Sequence, residues 1–280
     1  MAHFTRSAIR LAACALILNL LGAEGISADP PDPDPQRAAV EQLLRSVARE
    51  LPDARDHAAI QQLITVFSAR GVLTDDRSVW MLLTFDRDGG LEAVLVNAEV
   101  LLAAAPLIQR AAILHELEHL KRAKETRRLL RASADRHQAR RGDLAASASR
   151  LQHLVRVLVD DEYRAYRRDI LYLYDAVEAR GGLASYLATL PPDQRPATWR
   201  YYHGHVQPFI TADGRLDEPR LRRDFVFLET FPRRHPRYYT AALMWEALQG
   251  HVEVRRGRDG RWRPARLLVP TAFLAWLAPS

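Results

Sequence analysis

Pro106-Leu107-Ile108-Gln109-Arg110-Ala111-Ala112-Ile113-Leu114-His115-Glu116-Leu117-Glu118-His119-Leu120 is the stretch on which the reading of the chain turns. Pro106 stands where the first turn of a helix tolerates a missing N–H, and the run predicts a long helix over 106–131. Residues four apart on a helix lie one above the other. His115 and His119 therefore project from one face and can share a metal ion. Glu116, about 100° round the helix, would reach a water at that ion as general base without being a ligand. Zinc would bring the pKa of such a water toward ~7. The bland alternative is a polar helix face that spells the pattern by chance. Ala111, Ala112, Ile113, Leu114, Leu117 and Leu120 argue against it. They predict burial here, where two imidazoles and a carboxylate without partners would be costly.

A catalytic zinc takes three protein ligands and keeps one position open. The sequence offers Glu162. On a helix expected over 144–180, Leu151, Val155, Leu158, Glu162, Ala165 and Asp169 form one stripe at spacings of three and four. Glu162 interrupts an otherwise apolar face, where an unpaired carboxylate is expensive. Asp161, further off the stripe, is the fallback ligand, and Asp160 points away. Small Ala165 would let this helix approach the first one closely. The competing reading is a glutamate at the edge of the core, paired with an arginine.

Together these residues resemble the gluzincin metallopeptidases, whose thermolysin-like members pair HExxH with a downstream glutamate. The resemblance covers roughly residues 91–169: an apolar strand ending in Asn97, then Pro106 and the HExxH helix, then ExxA at Glu162 to Ala165. It implies a zincin-like fold, zinc held by His115, His119 and Glu162, and Glu116 as the base. It also implies that the strand before the helix is a sheet edge on which an extended peptide substrate is laid. Two departures stand out. Glu118 and Lys121 put charge where the stricter motif prefers uncharged or apolar residues. The position four after the glutamate, often Asp in such enzymes, is Tyr166. The carboxylate that would orient a zinc-bound histidine then has Asp169 as its best candidate.

The tetrahedral intermediate of peptide hydrolysis needs a donor for its oxyanion. Tyr201-Tyr202-His203-Gly204-His205 is one source and His235 with Tyr238 and Tyr239 another, against the alternative that such clusters pack loops. Tyr202, His203 and His205 are the candidates carried forward from the first group. His203 and His205 would also compete as ligands, but alternating residues suit a strand-borne site better than this helix-borne one. His137 and His153 read as solvent-facing.

Of the 280 residues, 48% are apolar, which excludes a disordered chain. Lys+Arg 40 against Asp+Glu 34 gives +6, and 38 of the 40 basic residues are arginine, a bias of coding composition more than of a nucleic-acid surface. The single Cys14 excludes an internal disulfide framework. No stretch reaches the ~20 apolar residues of a spanning helix, so the mature chain is expected to have no transmembrane domain. Residues 1–28 read as a signal peptide. Arg6 and Arg10 are followed by the apolar run LAACALILNLL at 11–21 and then by Ile26-Ser27-Ala28. Export to the periplasm or beyond follows, with an uncleaved N-terminal membrane anchor as the alternative. Residues 29–35, alternating Pro and Asp, read as a stiff extended spacer.

The folded body is expected as a single domain over 36–280. Helices are predicted over 36–51 and 58–69. The runs Val79-Trp80-Met81-Leu82-Leu83-Thr84-Phe85 and Leu91-Glu92-Ala93-Val94-Leu95-Val96-Asn97 predict a hairpin. Gly181-Gly182 ends the 144–180 helix, and Pro191, Pro192 and Pro196 mark a loop. Helices resume over 218–229 and 236–248, and a hairpin over 252–268 closes the fold. The result is a mainly helical α+β domain with a small antiparallel sheet and a C-terminal hairpin. The segment 121–141 holds nine basic residues against Glu125 and Asp135. It reads as the solvated end of a helical pair, with an anionic envelope surface as a possible partner and nucleic acid not expected of an exported chain. The apolar tail 267–278 reads as a core-docking segment. The whole suggests an exported zinc metallohydrolase acting on peptides. The rival is a non-catalytic envelope binding or assembly protein that keeps a structural zinc site.

Overall fold

The computed structural model describes residues 34–75, 80–86, 88–136, 144–225, 252–256 and 262–267. The expected signal peptide, most of the spacer, His137, His235, Tyr238, Tyr239, the 236–248 helix and the tail beyond 267 lie outside these residues. So does the side chain of His153.

Two helices open the fold, each started by an aspartate. Asp34 accepts from the Gln36 N–H at 2.8 Å and Pro35 takes the first turn of α1, Pro35–Glu50. The last two residues of the expected spacer therefore belong to the helix start. Asp53 accepts from the Arg55 and Asp56 N–H groups at 2.7 and 3.1 Å, so α2, Ala54–Arg70, begins four residues before the apolar period suggested. α2 runs straight into a three-residue strand, β1 (Gly71–Leu73), too short to leave a sequence signal.

The expected hairpin forms from β2 (Met81–Phe85) and β3 (Leu91–Val96), antiparallel, with Met81 opposite Val96 and Leu83 opposite Val94. Asp86 organises the turn by accepting from the Asp88 and Gly90 N–H groups. Gly89 sits at φ +82 at the tip. A Cβ there would come within 2.8 Å of the Lys124 backbone, so only glycine lets the tip rest on the helix below.

The sheet order is β1-β3-β2, and β1 runs parallel to β3. Two expectations are corrected. The sheet is mixed, not antiparallel, because α2 returns the chain to lay β1 alongside β3. The strand preceding the HExxH helix is the central strand and not an edge. Its end, Asn97, caps the short helix α3 (Ala98–Ala103) by accepting from the Val100 N–H at 3.0 Å.

α4 (Pro106–Arg136) and α5 (Leu144–Glu178) are the two long helices. They pack antiparallel, since His115 meets Asp169 while Thr126, further along α4, meets Asp161. α4 is buried on two sides. Ile113, Leu114, Leu117 and Leu120 join the core under the sheet with Phe67 and Val94. Leu107, Ile108 and Ala111 join a second core with Tyr163, Tyr166 and Ile170 of α5. α5 ends as expected: the Gly181 N–H bonds Glu178 O and the Gly182 N–H bonds Val177 O, both glycines at positive φ.

After α6 (Leu183–Thr189), the proline loop is shorter than expected. Pro196 lies in the first turn of α7 (Arg195–His205), where proline is tolerated. The Tyr201 to His205 cluster is therefore helical. His203 and His205, two apart on a helix, cannot face the same way. A 3₁₀ turn at Gln207–Phe209 leads on to α8, Glu218–Phe225, and the closing antiparallel hairpin pairs β4 (Val252–Arg256) with β5 (Trp262–Leu267). The architecture is mainly helical α+β. Among the described residues no helix is long and apolar enough to cross a membrane.

Leu117 is 0% exposed in the sheet-side core, inside the motif itself. Leu117→Ala should destabilise the protein by about 2–5 kcal/mol through lost transfer energy and the cavity left behind. Urea unfolding checks this, and a loss under about 1 kcal/mol would contradict the two-sided burial of α4.

Candidate metal centre

The antiparallel pairing brings His115 and His119 of α4 against Glu162 of α5. One donor atom from each lies within 4.8 Å of the other two. His119 Nε2 is 3.2 Å from His115 Nε2 and 3.3 Å from Glu162 Oε1, and His115 Nε2 is 3.6 Å from Glu162 Oε2. Glu162 is 3% exposed, and among the described residues its Oε2 has no hydrogen-bond donor.

The far nitrogen of each ring meets its own carboxylate. His115 Nδ1 lies 3.0 Å from Asp169 Oδ2, and His119 Nδ1 lies 2.7 Å from Asp161 Oδ2. An ionised carboxylate only accepts, so both Nδ1 atoms carry the hydrogen. In the neutral rings both Nε2 atoms then present lone pairs, which face each other and a carboxylate in a buried space. Such an arrangement repels itself unless a cation, a proton or a metal, sits among the three. The residues fit a metal by this chemistry, and His115, His119 and Glu162 can hold one. Carboxylates behind the imidazoles are the usual means of fixing the tautomer and ring orientation of metal ligands.

The titration behaviour agrees. Burial works against a charge on His115, but Asp169 and Glu162 outweigh it and lift the ring to about 9. Burial opposes the charge on His119 too, and Glu162 and Asp161 raise it well above its ordinary value. Burial would push Glu162 up, yet the two rings bring it down to about 2. Without a metal, both rings therefore favour the protonated form. Glu116 differs. It is 7% exposed, burial raises its carboxyl to about 7, and the nearby imidazoles offset only part of that.

Asp169 occupies the orienting position expected of it. Asp161, the fallback ligand, is not one of the three. Its Oδ2 serves His119 and its Oδ1 accepts from Thr126 Oγ1 at 3.1 Å, with Arg122 Nη1 at 3.5 Å. Asp160 points outward to Arg164, as expected. His205 is corrected from competing ligand or oxyanion donor, because its Nε2 is engaged 3.0 Å from Asp169 Oδ1. His203 packs against Trp199, the rings tilted by 50° with centroids 4.2 Å apart, and is not one of the three donors. Tyr202, its hydroxyl pushed up to about 12 by burial, packs against the α5 core and not against the imidazoles.

Tyr166, noted in the sequence only for replacing an expected Asp, sets its ring edge-on to His115 at 4.9 Å and 85°. Its place one turn beyond Glu162 was the available signal. The charges inside the motif also find their cause. Lys121 pairs with Glu118 at 2.8 Å and with Asp56 of α2 at 2.9 Å, and Arg168 of α5 pairs with Asp56 as well. They form an ion cluster joining three helices on the side of α4 turned away from Glu116.

Compared with family models, with curated proteins and with solved structures, the chain matches none. The reading of the site rests on its own geometry.

Two outcomes follow for metal-free protein. His115 has a folded pKa raised from 6.5 to about 9, so its charge contributes stability that is fully present below about pH 6.5 and is lost as pH rises through about 9. Urea midpoints measured in chelator should fall over that window; a flat profile would contradict the buried imidazolium. At pH 7 metal uptake must displace at least one proton. Calorimetry in buffers of different ionisation enthalpy should therefore give buffer-dependent binding heats.

Proposed function

We propose that this chain is an exported zinc-dependent hydrolase that cleaves peptide bonds. The observation that carries the reading is the convergence of two imidazole Nε2 atoms on a buried carboxylate whose Oε2 has no hydrogen-bond partner among the described residues, beside a protonatable Glu116. Two nitrogens and one oxygen suit zinc, whereas magnesium and calcium favour all-oxygen cages. His115, His119 and Glu162 would hold the ion, with Asp169 and Asp161 fixing the two rings. When bound, zinc would polarise a substrate carbonyl and lower the pKa of a water beside it.

Glu116 supplies the proton chemistry. Buried beside the donor atoms, and with its pKa raised by burial when no metal is present, this carboxylate can take a proton and return it to a departing amine. Three donors among the described residues, in place of the four usual for structural zinc, support catalysis over a structural site in a binding protein. Since β3 is interior, an extended peptide would pair with an outer strand, of which β2 is the longer. The signal-like residues 1–28 support action in the periplasm or outside the cell, and the basic 121–141 segment suits an anionic envelope surface.

Glu116→Gln should keep zinc by elemental analysis and lose hydrolysis of a peptide library by at least ~10²-fold. His115→Ala should lose the metal. Full activity in Glu116→Gln would remove the base assignment, and a parent protein that takes up no zinc would remove the proposal.

A further inference from the structure

Asp169 is the middle of a chain of three side chains from three helices. Its Oδ2 accepts from His115 Nδ1 of α4 and its Oδ1 from His205 Nε2 of α7, each at 3.0 Å. All three are buried, at 8%, 3% and 8% exposure for His115, Asp169 and His205. The His205 ring contacts two aromatic rings, Tyr166 at 5.2 Å and Tyr201 at 4.8 Å. These contacts restrict its rotation, and Asp169 as acceptor requires its hydrogen on Nε2.

We propose that His205 is a positioning residue for the metal: it clamps Asp169, and Asp169 holds the His115 ring with Nε2 toward the other two donors. The inference rests on the metal reading above and extends it to a residue in another helix. A carboxylate turns easily about its last side-chain bond. A donor on one oxygen alone leaves that rotation open, and donors on both oxygens close it. Removing the His205 imidazole would leave Oδ1 as a buried acceptor without a donor among the described residues, which is costly. The carboxylate would then turn toward other donors, and the bond that fixes the tautomer and tilt of His115 would weaken. His205 needs no contact with the metal for this.

Glutamine at 205 carries an amide N–H donor at comparable reach and can restore the bond to Oδ1, whereas leucine cannot. The test is zinc affinity, by competition with a chromophoric chelator, for the parent, His205→Leu and His205→Gln. His205→Leu should bind zinc ~10–100-fold more weakly, the range for losing an outer partner of a metal ligand. His205→Gln should stay close to the parent. Should His205→Leu fail to fold, ¹⁵N spectra of the zinc-loaded parent decide: the hydrogen of His205 should sit on Nε2, and its ring signals should move on zinc addition. A leucine variant that binds as tightly as the parent, a glutamine variant that falls as far as leucine, or a His205 proton on Nδ1 would each overturn the proposal. Absence of zinc uptake by the parent would instead sink the underlying metal reading, a result read before any variant is made.

Discussion

Along α4 the two imidazoles stand four residues apart, about 6 Å of helix rise, and along α5 Asp161 and Asp169 stand about 12 Å apart with Glu162 between them. Antiparallel packing matches the two series. Asp169 meets the earlier histidine, Asp161 meets the later one, and Glu162 meets both. The site depends on this register. A slip of one turn, about 5.4 Å, would place apolar side chains opposite the imidazoles and strand three carboxylates in the core. Ala111 and Ala165, both 0% exposed, allow the close approach, and the Asp56, Glu118, Lys121 and Arg168 cluster ties α2 to the same pair.

On α4 the histidines were legible from their spacing of four, and on α5 the legible parts share one property: a charge where the helical period demands an apolar residue. Glu162 and Asp169 both break the same stripe of α5, and both proved to be buried partners of the histidines. Asp161 could not be read that way. It sits off the stripe and acquires its role only from His119 on the neighbouring helix, so its assignment needs the direction in which the helices run. His205 is a similar case, since its partner lies on another helix and nothing in the local pattern points to it.

At the level of the fold, long periodic elements were readable and short or proline-marked ones were not. α4 and α5 carry apolar periods over many turns, and the β2–β3 hairpin has an Asp/Gly turn between two apolar runs. β1 is three residues paired through a distant strand, so its existence is a tertiary fact. Pro196 was ambiguous because proline serves a loop and a first helical turn equally well, and its place in the first turn of α7 puts His205 on a helix beside Asp169. The central place of β3 was unreadable for the same reason as β1, because a strand becomes interior only when another is laid beside it.

One feature of the centre bears on which ions it would admit. Asp161, Glu162 and Asp169 give the centre three formal negative charges from a single rod, with Arg122 Nη1 3.5 Å from Asp161 Oδ1. Attraction of that size draws every small divalent ion in the surroundings and favours none by charge alone. Selectivity is then left to the softness and directionality of two nitrogen lone pairs, whose aim is set from behind.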